Sequence, residues 1–147
     1  MNQQQVEHVV KYAIQMLIDN DSVLIDLNVS ERALMFHLAR YIREKTPSNL
    51  DVDCEYNRHL SDKKNLLFLK NKLKTEEEYK VYPDILIHQR NSDEHNILVV
   101  EIKKHGEDVD GDKRKLKAFK EEPYFYDFAV QIIVPSENSQ PLTFEFV

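Results

Sequence analysis

A single cysteine, Cys54, in 147 residues excludes an intramolecular disulfide framework, and no Cys/Cys or Cys/His spacing resembles a structural zinc site. A reducing, cytoplasmic setting is therefore expected. Long apolar runs are missing too: no stretch approaches the ~20 apolar residues needed to cross a bilayer. The opening residues carry Gln3, Gln4, Gln5, Glu7 and His8 in place of a charged start followed by an apolar core, so no secretory signal is expected there. Positive charge is in short supply, with a formal net charge of −6. Non-specific affinity for nucleic acid comes largely from Lys and Arg neutralising phosphates, so any nucleic-acid reading must rest on a local basic surface. Internal repeats and low-complexity linkers are absent as well.

What remains is ordinary for a folded chain. Apolar residues make up 41% and charged residues 31%, and the length suits one domain over residues 1–147. Val6, Val9, Val10, Ala13, Met16 and Leu17 recur at helical spacing, predicting a helix over residues 3–19, with Ser22 to Leu27 as a connector. Ser30 is a good N-cap for a second helix running to Lys45, where Thr46-Pro47 stops it; Glu31, Leu34, Leu38 and Ile42 fall along one stripe. Asp51 to Tyr56 alternates as a half-buried strand. A short helix is expected around Leu66, Leu69 and Leu73.

Val81 to Gln89 and Asn96 to Lys103 are rich in Val, Ile and Leu and are joined by a wholly polar link, which predicts a hairpin. A basic helix from Asp110 to Lys120, a buried strand from Phe128 to Val134 and an edge strand in Leu142 to Val147 complete the order. The fold class is α/β (α+β): one mixed sheet flanked by helices, with core order αβββαβ behind an extra N-terminal helix.

The hairpin carries the unusual charges. Alternation places Asp84, Leu86 and His88 on one face of its first strand, and Val99, Glu101 and Lys103 on one face of its second. Strands with aliphatics on both faces are buried on both, where a charge is costly unless it is paired or holds an ion. Two carboxylates brought together repel, and a divalent cation removes that repulsion while leaving room for water and phosphate oxygens. An ammonium at Lys103 then suits charge building on a phosphate. The plain alternative is a salt bridge between Lys103 and the carboxylates in an ordinary sheet.

Pro83-Asp84 followed by Glu101-Ile102-Lys103 resembles the PD-(D/E)XK nuclease superfamily, which has the restriction-endonuclease-like fold; 17 positions separate Asp84 from Glu101. The likeness runs from about Ser30 to Val134, in the order helix, three strands, helix, strand. The stretches Cys54 to Arg58, Tyr82 to His88 and Val99 to Lys104 look similar to a group of small, uncharacterised bacterial members of that superfamily. The resemblance implies a Mg²⁺-dependent nuclease, with Mn²⁺ able to substitute, that hydrolyses phosphodiester bonds, most often in DNA and as an endonuclease. It implies Asp84 and Glu101 as metal ligands and Lys103 beside the reacting phosphate. Many members also place a glutamate of the first core helix at the metal site, which implies Glu31; independently, a carboxylate heading an apolar stripe needs a reason, although Glu in a first turn also suits the helix dipole.

Weaker nucleic-acid-binding candidates surround this group. His88 shares the Asp84 face, or simply hydrogen-bonds nearby. Asn57 and Arg58 follow the first strand, where Arg offers a bidentate fork for phosphate; a turn-capping Asn and a surface Arg is the equal alternative. Residues 103–120 hold seven bases (Lys103, Lys104, Lys113, Arg114, Lys115, Lys117, Lys120) against four acids (Glu107, Asp108, Asp110, Asp112), a local excess of three. Lys113, Lys117 and Lys120 share a helix face that either follows a phosphate backbone or is merely solvated. Asp108, Asp110 and Asp112 do not form a calcium loop, because Lys113 stands where its glycine belongs and Phe119 where its glutamate belongs. The helix stripes outside the core order either complete the core or make a homodimer. The rival function is a non-catalytic nucleic-acid-binding or assembly subunit that retains the nuclease fold, within a defence or repair complex.

Overall fold

The computed structural model describes residues 1–57, 82–106, 109–137 and 140–147. The helix expected around Leu66 to Leu73 and the candidate Arg58 lie outside them. The elements are α1 (Gln3–Asp21), α2 (Val23–Asp26), α3 (Glu31–Lys45), β1 (Asp51–Cys54), β2 (Ile85–His88), β3 (Leu98–Lys104), α4 (Val109–Phe119), β4 (Phe128–Val134) and β5 (Thr143–Phe146).

Local chemistry explains the helix boundaries. At the start of α1, Asn2 and Gln5 cap each other reciprocally, Gln5 N donating to Asn2 Oδ1 at 2.9 Å and Asn2 N to Gln5 Oε1 at 2.8 Å. Ser30 Oγ accepts from Ala33 N at 3.3 Å to open α3. Thr46 closes it, donating its hydroxyl to Ile42 O at 2.8 Å, and Pro47 cannot continue the helix. The apolar stripe of α3 is buried as expected: Leu34, Leu38 and Ile42 are at most 1% exposed. Each such side chain contributes about 1.5–3 kcal/mol of burial free energy. The Ser22 to Leu27 connector holds the single turn α2.

The five strands form one sheet in the order β1-β2-β3-β4-β5. Strands β1, β2 and β3 are antiparallel neighbours, β3 and β4 are parallel, and β5 returns antiparallel along β4 as the edge. The parallel step requires a crossover, which α4 supplies. Both sheet faces are covered. Ile85, Ile87, Leu98, Val100, Ile102, Val130 and Ile132 pack with α1 and α3. Leu86, Val99 and Ala129 pack on the other side with Leu116 and Phe119 of α4, together with Tyr124 and Tyr126. The mixed sheet flanked by helices is the architecture expected from the sequence, and no helix among the described residues is long and apolar enough to cross a membrane.

Most boundaries shift by one or two residues from expectation, and two larger differences bear on the site. The first hairpin strand begins at Ile85, leaving Asp84 as the residue that enters it. Strand β1 ends at Cys54 because Glu55 takes a left-handed backbone conformation (φ 49). That kink sends Tyr56 to the α4 side of the sheet, whereas unbroken alternation would have kept it with Val52 and Cys54.

Candidate active site

Strand β3 outruns β2. Their pairing begins at Ile85 opposite Val100, while β3 continues to Lys104. On that edge the N–H groups of Ile102 and Lys104 would be left without a strand partner, and two carboxylates replace it. Asp84 Oδ2 accepts from Ile102 N at 2.7 Å, and Glu31 Oε1 accepts from Lys104 N at 3.3 Å. The glutamate heading α3 thus reaches the same strand as Asp84, two residues further along. Lys104 turns away, its Nζ donating to Asn28 O and Oδ1 at 3.2 and 3.0 Å.

Glu101 immediately precedes the first of these donors in sequence and projects to the α4 side, as its alternation with Val99 requires. It is 3% exposed. Burial pushes its carboxyl up to about 8, Asp84 adds repulsion in the same direction, and Lys115 opposes both. Lys115 comes from α4, with Nζ 2.7 Å from Glu101 Oε1, close enough for an ion pair although Oε1 has no partner in good hydrogen-bond geometry. Lys115 Nζ also donates to Tyr82 O at 3.4 Å. Asp84 is half-buried and its carboxyl is likewise raised: desolvation outweighs the Ile102 N–H and Lys115, helped by repulsion from Asp112 and Glu55. Asp84 and Glu101 therefore raise one another's affinity for positive charge, whether a proton or a cation.

Lys103 shares this face. Its Nζ stands 3.2 Å from Asp112 Oδ2, so α4 meets β3 with a crossed pair of ion pairs: helix acid on sheet base, helix base on sheet acid. Asp112 and Lys115 are three apart on the helix and so lie on one side of it, next to the buried Leu116 and Phe119.

A second polar cluster occupies the far end of β2. His88, 3% exposed, places Nε2 2.9 Å from Asp53 Oδ2, and the Tyr56 ring packs edge-on against it with centroids 4.8 Å apart. Arg90 grips the same carboxylate with two bonds, Nε to Oδ2 at 2.8 Å and a second from its NH2 group to Oδ1. Burial raises the Asp53 carboxyl, but the hydrogen bonds from Arg90 and His88 outweigh it and hold the group below its usual value.

Of the residues singled out from sequence, Asp84, Glu101, Lys103 and Glu31 are gathered along the C-terminal half of β3. Among the described residues no three of His, Cys, Asp and Glu stand as a ready metal-binding group, and one oxygen each of Glu31 and Asp84 accepts a backbone N–H while Glu101 pairs with Lys115. The donor chemistry nonetheless fits a hard divalent cation: buried carboxylate oxygens under mutual repulsion. His88 sits apart from them, enclosed with Asp53, and Asn57 is buried at 8% exposure. Lys113 of α4 pairs with Glu145, and Lys120, just past the helix end, donates to Val147 O at 3.0 Å, so both reach the β5 segment. Lys117 is exposed. The sequence offers Lys115 only as one base of a basic run and Asp112 only as a rejected calcium ligand, yet both belong to this site. Their signal is the placement of Asp112, Leu116 and Phe119 at steps of four and three, which marks the sheet-facing side and carries Lys115 with it. Comparison with known protein families, curated proteins and solved structures finds no match to this chain.

Proposed function

We propose that the chain is a metal-dependent nuclease of the PD-(D/E)XK type, with a restriction-endonuclease-like fold, hydrolysing phosphodiester bonds most readily in DNA. The observation that carries this reading is Glu101: a carboxylate 3% exposed in the middle of the sheet, raised by burial and by Asp84, with Lys103 two residues on. A purely structural sheet gains nothing from such a cluster, because apolar residues of similar size would pack there at lower cost.

Asp84 and Glu101 would hold Mg²⁺ or Mn²⁺, with Glu31 at the rim. A bound divalent ion supplies charge that offsets the carboxylates and acidity that prepares water for attack on phosphorus. Lys103 places an ammonium beside the reacting phosphate, where it stabilises the charge that grows on the phosphoryl oxygens. Asp84 and Glu31 keep the end of β3 satisfied, which holds Glu101 and Lys103 in register.

The test is incubation of purified protein with supercoiled, single-stranded and branched DNA and with RNA, in Mg²⁺ or Mn²⁺, beside Lys103→Ala. Cleavage is expected to fall by about a hundredfold in the variant. Cleavage that persists unchanged would place the chemistry elsewhere.

One observation favours the rival reading, a non-catalytic nucleic-acid-binding or assembly subunit on the same fold. The two charged residues that β3 turns toward α4, Glu101 and Lys103, already pair with Lys115 and Asp112 of that helix. On that reading Mg²⁺ does not bind, and Asp84→Ala alters stability alone.

A further inference from the structure

We propose that Lys115 is the resident counterion of Glu101, that a divalent cation entering the site displaces it, and that the displaced ammonium then engages a substrate phosphate. The proposal rests on the metal-dependent reading above.

The geometry points to displacement. Lys115 Nζ stands 2.7 Å from Glu101 Oε1 and its charge also acts on Asp84, so a cation held by these two carboxylates would compete with it. A single ammonium cannot balance two carboxylates; a divalent ion can. Lys115 is also the more mobile of the two partners. Glu101 is fixed on a central strand with its side chain 4% exposed, whereas the Lys115 side chain is 21% exposed and ends a four-carbon stem on a helix. Its other contact is the backbone carbonyl of Tyr82 at 3.4 Å, at an exposed residue, so the ammonium already has a second acceptor at the solvent side of Glu101. Lys103 does not take its place beside Glu101, because Asp112 engages it.

Two consequences follow from this competition. Without substrate, the cation must overcome Lys115, so its affinity is weakened. With substrate, a phosphate draws Lys115 away from Glu101, and each ligand tightens the other by the same factor.

Two measurements on the full chain test this. Calorimetric titration with Mg²⁺ compares wild type, Lys115→Met and Lys115→Gln at alkaline pH, so that protonation of Glu101 does not mask the change. Both variants should bind Mg²⁺ about tenfold more tightly, since a like charge beside the ligand has gone. In wild type, amine acylation read by mass spectrometry should rise severalfold at Lys115 on saturation with Mg²⁺ while Lys113, paired with Glu145, stays unchanged. Equal or weaker binding in variants that melt cooperatively overturns the proposal. So does unchanged Lys115 acylation in wild type that binds Mg²⁺, which remains decisive if neither variant folds. Absence of Mg²⁺ binding in all three proteins overturns the metal-dependent reading itself, and this inference with it.

Discussion

Replacing Glu101 with Gln should stabilise the protein, and by an amount that grows with pH. Glu101 is enclosed, and its carboxyl is pushed from 4.5 up to about 8. The fold therefore keeps a proton that the unfolded chain releases, so the contribution is fully present below about pH 4.5 and is lost as pH rises through about 8. At about 1.4 kcal/mol for each pH unit between the two values, ionising Glu101 costs the fold about 3 kcal/mol near neutrality, with a ceiling of about 5 kcal/mol above pH 8. Gln has nearly the same shape, cannot ionise, and offers its amide oxygen to Lys115. The expected gain for Glu101→Gln is about 1 kcal/mol near pH 5 and about 3 kcal/mol near pH 7. For a chain of this size the latter raises the melting temperature by about 6–12 °C. Thermal or urea denaturation at acidic, neutral and alkaline pH reads this directly. Saturating Mg²⁺ should narrow the gap, because it stabilises only the protein that binds it. A variant that melts below wild type at alkaline pH, or a gap that does not change with pH, would refute the account of Glu101 as a buried carboxylate held against its charge.

Removing the Asp53 carboxylate should have the opposite effect. Asp53→Ala strands Arg90 and the enclosed His88, at a cost of about 3 kcal/mol in urea unfolding. Because the Asp53 carboxyl is held below its usual value, wild type should lose this contribution as pH falls through that depressed value, and the variant should not. Leu38→Ala, at a fully buried position of α3 in the main core, should cost about 2–5 kcal/mol in the same assay without altering Mg²⁺ affinity. A matching loss of Mg²⁺ affinity would show that α3 packing and the candidate site are coupled.

The parts of the fold that were legible in the sequence are those fixed locally. The ends of α3 follow from Ser30 and Thr46-Pro47, which act on backbone groups a few residues away. The hairpin, the crossover and β4 follow from aliphatic runs separated by polar or basic stretches, and the facing of Asp84, Glu101 and Lys103 follows from the two-residue repeat of a strand. What escaped depends on partners distant in sequence. Val81 to Gln89 reads as one aliphatic-rich run, but β2 starts only at Ile85, where β1 and β3 pair with it. The crossing of Tyr56 depends on a left-handed Glu55, a conformation its side chain does not advertise. The rotation of α4 is decided by Leu116 and Phe119 against the sheet, and this turns Lys115 inward and Lys113 and Lys120 toward β5.

That rotation changes how an acidic chain can meet a polyanion. The basic surplus of residues 103–120 reads as a phosphate-binding strip, yet much of it is spent inside the protein. Lys103 faces Asp112, Lys115 faces Glu101, Lys113 faces Glu145, Lys104 holds Asn28 and Lys120 holds Val147 O. Each of these ammonium groups must leave an internal partner before it neutralises a phosphate, and with a net charge of −6 the chain as a whole repels a polyanion such as the nucleic acid proposed as substrate. Binding should therefore depend on a few local contacts and on the divalent ion rather than on a long electrostatic track. The measurable consequence is a shallow salt dependence. Two or three phosphate contacts give a slope of about −2 to −3 in log K against log salt on duplex DNA, against about −6 or steeper for a protein with an extended basic face. A steep slope in the absence of divalent ions would mean that the lysines of α4 are available to DNA, and that their pairing with the sheet and with β5 is weaker than the geometry implies.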